Sequence, residues 1–118
     1  MSKTDLERLS TLALRQRKAQ LLRSLAFPPD ALHASFLERF LTCGRSNCHC
    51  HKGEKHGPFF YLSRCLPQRQ MRTLLLKEDS QILQARQGVE AYQHLLEDLD
   101  RLSWINWELL RRGDPLRS

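Results

Sequence analysis

Over the first quarter of the chain, apolar residues recur at steps of three and four. Leu6, Leu9, Ala13, Leu14, Leu21, Leu22 and Leu25 approximate one stripe, with Arg15, Arg17 and Lys18 on the other side, so the opening predicts a single amphipathic helix. Thr4 and Glu7 have capping-box spacing at its start, and Phe27, Pro28 and Pro29 stop it. The next run, "ALHASFLERFLTC", fits either period. Phe36, Leu37, Phe40 and Leu41 suit a helix face, while Phe36, Glu38, Phe40 and Thr42 alternate; a strand from Ser35 to Thr42 is the reading taken, since it leads into Cys43 and Gly44.

Further on, "FFYLSRC" and "MRTLLLK" are rich in aromatic, Thr and aliphatic residues, with "LPQRQ" to turn the chain between them. They predict a hairpin with Phe60, Leu62 and Arg64 on one face and Phe59, Tyr61, Ser63 and Cys65 on the other. From Glu78 the 3.6-residue period returns through Ile82, Ala85, Val89, Tyr92, Leu95, Leu96, Leu99, Leu102, Ile105, Leu109 and Leu110, which predicts a long helix with one buried stripe. Gly88 is placed to interrupt it early. Arg111 and Arg112 suit the negative end of the helix dipole, and Gly113 with Pro115 makes a cap and a stop. Trp104 and Trp107 fall on this helix as core residues or as an apolar patch for a partner.

Charge changes this picture. The 118 residues carry a net +6, and the middle carries it: residues 43–77 hold seven Lys/Arg against one acid, while residues 78–118 hold five against eight. A basic segment that short is the footprint expected for an acidic partner, most often nucleic acid. No apolar run reaches the roughly 18 residues a membrane span needs. The N-terminus lacks the apolar core of a secretory signal, so the expected location is the reducing cytoplasm, where clustered cysteines read as metal ligands more often than as disulfides.

Three of the four cysteines crowd into "CGRSNCHCHKGEKHGP". A closed structural zinc site takes four thiolate or imidazole ligands in a tetrahedron, and Cys43, Cys48, Cys50 and His56 can supply them, Gly53 letting the chain reverse and Gly57–Pro58 directing it outward. Cys65, His49 or His51 as substitute ligands, and a set of free thiols, are the competing readings. The expected architecture is α+β: an N-terminal amphipathic helix, a small zinc-ribbon-like knot with a two- or three-stranded antiparallel sheet, and a long C-terminal helix. The corresponding segments are 1–34, 35–77 and 78–118.

Cys43-Gly44, Cys48-x-Cys50, Gly53 and His56-Gly57-Pro58-Phe59-Phe60-Tyr61-Leu62 together resemble the signature of a family of small bacterial proteins defined as a domain of unknown function. The resemblance is close over residues 43–62 and loose over 35–110. It implies that Cys43, Cys48, Cys50 and His56 are the fixed positions, followed by a basic strand pair and a C-terminal helix, and that relatives lie near transposase or recombinase genes. The sequence departs from that pattern at "LPQRQ", where relatives carry a Gly-rich turn.

Four protein ligands would leave zinc no open position, and Glu54 is the one carboxylate between Cys43 and Lys77, so catalysis is not expected. The favoured expectation is a zinc-stapled DNA-binding accessory protein, able to form homo-oligomers or to join a recombinase-type partner. In it, Arg45, Lys52, Lys55, Arg64, Arg69 and Arg72 contact phosphate. The rival is an interaction adaptor that docks through Trp104 and Trp107.

Overall fold

The computed structural model describes residues 3–42, 53 and 55–117 of the chain. Its elements run α1 (Lys3–Glu7), α2 (Thr11–Ser24), β1 (Ser35–Leu41), β2 (His56–Leu66), a short 3-10 turn (Pro67–Arg69), β3 (Gln70–Leu76) and α3 (Asp79–Arg111). The fold is α+β, with N-terminal helices, a three-stranded antiparallel sheet in the order β1-β2-β3, and a long C-terminal helix. No helix of the described chain is long and apolar enough to cross a membrane. Two compact units form: residues 1–28 with 93–118, and residues 29–92.

In the first unit the opening helix is two helices instead of one. α1 has already begun at Lys3, so Thr4 lies inside its first turn and is not the cap. Ser10 breaks the run: its backbone is extended and its hydroxyl accepts the Ala13 N–H at 3.1 Å, which starts α2 afresh. This break lets Leu6 from α1 and Leu14 from α2 meet Ile105 and Leu109 of α3 in one buried cluster, with Leu9, Leu21 and Trp104 packed around it. Leu22, expected on the same stripe, is exposed.

The end of α3 follows the sequence closely. Asp114 donates its N–H to the Leu109 carbonyl at 2.9 Å and Gly113 to that of Leu110 at 3.0 Å, the two bonds of a Schellman cap. Arg111 and Arg112, however, do more than complement a dipole. Both grip Glu108, which is buried: Arg111 donates at 2.6 and 2.9 Å and Arg112 at 2.8 Å. Arg112 also reaches the Thr11 hydroxyl and the carbonyls of Leu6 and Glu7, tying the end of α3 to α1 and α2. Arg15 adds an ion pair with Asp114 at 2.9 Å.

The Arg111 and Arg112 bonds hold the Glu108 carboxyl at about 2, well below its ordinary 4.5. Because the unfolded chain then binds the proton first, the contribution of Glu108 to stability is complete above about pH 4.5 and is lost as pH falls towards 2. Urea midpoints measured between pH 2 and 6 are expected to fall with acid, and Glu108→Gln to flatten that dependence. Identical profiles for the two proteins would remove this account of the clamp.

In the second unit the sheet register pairs Phe36 with Leu62, Leu62 with Leu74, and Phe60 with Leu76. These residues share a face, because directly opposed residues of an antiparallel ladder project to the same side. Leu62, Leu74 and Leu76 line one cleft with Ala85 and Gln84 of α3, and the Arg86 guanidinium lies 4.9 Å from the centre of the Phe36 ring. His33 stacks on Tyr92 at 4.7 Å.

Gly88 does not interrupt α3, which is continuous through it. Its role is close approach. The Leu32 N–H donates to the Gly88 carbonyl at 2.9 Å, and a Cβ on Gly88 would sit 2.5 Å from the Asp30 carbonyl oxygen and 2.9 Å from Leu32 Cδ1. Alanine would gain about 1 kcal/mol in helix propensity. The obstruction is backbone and cannot swing aside, so Gly88→Ala is expected to be net destabilising by about 1–3 kcal/mol. A denaturant midpoint equal to or above the parent's would contradict this.

Candidate nucleic-acid interface and metal ligands

β2 and β3 extend three residue pairs beyond Ser63↔Thr73, and the first of these registers sets Arg64 directly opposite Arg72. Both side chains are exposed. Like charges directly opposed in a ladder are destabilising. Among the described residues, none of Arg64, Arg69 and Arg72 makes an ion pair.

Between the strands, Gln68 (φ 67°) and Arg69 (φ 59°) both occupy the left-handed region. That conformation costs roughly 1–2 kcal/mol for a residue with a Cβ, and glycine would adopt it without that penalty. "LPQRQ" therefore makes a glycine-type turn with two long polar side chains, one of them a third exposed guanidinium.

At the opposite end of β2, exposed Lys55 precedes the strand and His56 begins it, paired with Leu41 across the ladder. The register shifts between Arg39 and Leu41, and Gly57 sits at that irregularity with φ 143°. A Cβ there would lie 2.9 Å from the Arg39 carbonyl oxygen, so the glycine is required by both space and backbone. Residues 43–52, which connect β1 to β2 in the chain, contain Cys43, Cys48, Cys50, Arg45 and Lys52, together with His49 and His51; all of these lie outside the described residues, as does the expected zinc-ribbon-like knot.

Among the described residues no group of His, Cys, Asp and Glu could hold a metal ion. Cys65 is exposed and faces its own Leu66 carbonyl at 3.7 Å. It cannot share an ion with His56, because the two lie near opposite ends of the eleven-residue strand, about 30 Å apart at an ordinary strand rise.

The two tryptophans separate. Their rings meet edge to face at 6.1 Å, but Trp104 packs against the cluster of Leu6, Leu14, Ile105 and Leu109, whereas Trp107 is exposed. Residue periodicity alone missed Glu108; its signal was arginines at i+3 and i+4 from an acid on the buried side of a helix.

A three-stranded meander with an arginine-bearing tip, joined to a long helix, defines a small α+β protein. By sequence it belongs to the family described as a domain of unknown function (DUF6788), whose pattern matches residues 11–84. The matched region takes in α2, the whole sheet and the start of α3. No curated protein and no solved structure matches the chain.

Proposed function

We propose that this protein is a non-enzymatic nucleic-acid-binding module, stapled by zinc and serving as a DNA-binding accessory of a bacterial recombination or transposition system. The observation that carries the binding role is the Arg64↔Arg72 pair with Arg69 in a left-handed turn beside it. Three exposed guanidiniums are gathered where the fold itself gains nothing from them. An anionic partner relieves the opposition, and strained or opposed groups of this kind are a mark of function.

Phosphate suits the arrangement because guanidinium pairs bidentately with its oxygens. Lys55, Arg45 and Lys52 supply further cations along the chain. Contacts to phosphate give affinity without sequence readout. The association with mobile DNA rests on the resemblance over residues 43–62 alone.

The donor set of Cys43, Cys48, Cys50 and His56, three thiols and an imidazole, fits a structural zinc ion, and these are the residues that would hold it. His56 begins β2 opposite Leu41, and Cys43 follows Leu41 by two residues in the chain. Zinc there would cross-link the β1–β2 connection at its base.

Labelled duplex and single-stranded probes, titrated at several salt concentrations, test the binding role. The logarithm of the association constant is expected to fall linearly with that of salt, by about 0.9 for each duplex phosphate contacted. Binding that is absent at low salt, or indifferent to salt, would overturn the reading in favour of the adaptor.

A further inference from the structure

The stripe that α3 buries in its first half continues into its second half uncovered. Ala85 and Val89 are buried, but Leu96, Leu99, Trp107 and Leu110 on the same side are 45–64% exposed. At 100° per residue these four and Ser103 lie within about 80° of one another, and Ile105 and Leu109, which meet α1 and α2, lie on the other side. Trp107 keeps its edge contact with Trp104 and still shows more than half its surface.

The spacing is a palindrome. Reading outward from Ser103, the chain meets Leu99 and Trp107 at four residues on either side, then Leu96 and Leu110 at seven. Such a pattern is self-complementary in an antiparallel isologous helix pair, where the twofold axis sets each position against its mirror about the central residue. Ser103, exposed and small, stands at the centre, where two crossing helices approach closest. Charges follow the same rule. Acidic Glu97 and Asp100 flank the first half of the stripe, and Arg111, 56% exposed, flanks the same side at its end. In an antiparallel pair about a perpendicular twofold, like flanks meet, so the acids of each copy are set against the arginine of the other, twice over.

We infer that this face of α3 is the interface of a homodimer, in which the helices of two copies pair antiparallel about a twofold axis at Ser103, with Leu96 against the second copy's Leu110 and Leu99 against its Trp107. The inference is independent of what the hairpin binds. It gives a nucleic-acid reader two equivalent arginine tips per assembly.

Sedimentation of the full chain across micromolar concentrations, with mapped disulfide trapping, tests it. The parent is expected to sediment as a dimer, and Trp107→Lys and Leu110→Lys as monomers that keep the parent's circular dichroism. Ser103→Cys under mild oxidation should give a covalent dimer whose bridged peptide joins position 103 to position 103. A mixture of Leu96→Cys and Leu110→Cys should give a bridge from 96 to 110, absent from either alone. A parent that stays monomeric, a dimer that survives both lysine variants, or bridges from 96 to 96 would overturn the inference.

Discussion

Cys48→Ser, or a strong zinc chelator at neutral pH, is expected to remove the fold of residues 29–92 while much of the helix beyond them persists. The size of the effect follows from comparing two magnitudes. Structural zinc contributes about 10–16 kcal/mol in small finger peptides, whereas a whole domain's net stability is about 5–15 kcal/mol. The described part of this unit has little with which to offset such a loss. Its buried apolar side chains are Leu76, Ala85 and Val89, and most of the sheet is exposed. The other unit holds its own cluster of Leu6, Leu14, Ile105 and Leu109 together with the Arg112 clamp, none of which involves a cysteine. Hydrogen exchange with and without chelator should show protection lost in β1–β3 and kept around Ile105 and Leu109. Purified protein free of zinc by elemental analysis, with exchange unchanged by chelator, would leave the staple without support.

The second large effect is expected from reversing the hairpin charges. Arg64→Glu/Arg69→Glu/Arg72→Glu takes the formal net charge from +6 to zero, because each substitution changes it by two. If each arginine neutralises one duplex phosphate, the salt dependence should shallow by about three, and affinity at low salt should fall by at least two orders of magnitude. All three side chains are exposed, so folding should survive. A milder companion, Arg64→Gln/Arg72→Gln, removes the opposed pair without adding negative charge and should be as stable as the parent or more so. Unchanged binding by the glutamate variant would exclude phosphate contact from the hairpin. Loss of cellular function on Trp107→Lys, with the glutamate variant active, would favour the adaptor.

Elements whose cause is local were legible in the chain. The strand at Ser35, the hairpin between Phe59 and Lys77 and the cap at Gly113 each follow from residues within a few positions of one another, and each formed with small shifts at its ends. β2 starts three residues before the aromatic block because Gly57 can take φ 143° against the Arg39 carbonyl, which keeps His56 on the ladder. The exposed arginines were legible as charge, but not as a pair. Opposition of Arg64 and Arg72 depends on the turn spending three residues, Pro67–Arg69, between Leu66 and Gln70, and a change of one residue would have put them out of register.

Periodicity also failed in an instructive place. A single stripe along α3 was expected, yet Ala85 and Ile105 are both buried and are separated by about 200° around the helix. Two different coverings act on the two halves, and a spacing rule that allows steps of both three and four drifts from one face to the other without notice.

By itself, then, the amino-acid order determined the three strands, the long C-terminal helix with its cap, and where positive charge gathers, because each of these depends on neighbours along the chain. Only the tertiary structure decided which side of α3 is covered and with it that Glu108 is buried, why Gly88 must lack a side chain, and that two guanidiniums stand face to face. Those outcomes belong to contacts between residues distant in sequence or to a strand register, and no single stretch contains the information that sets them.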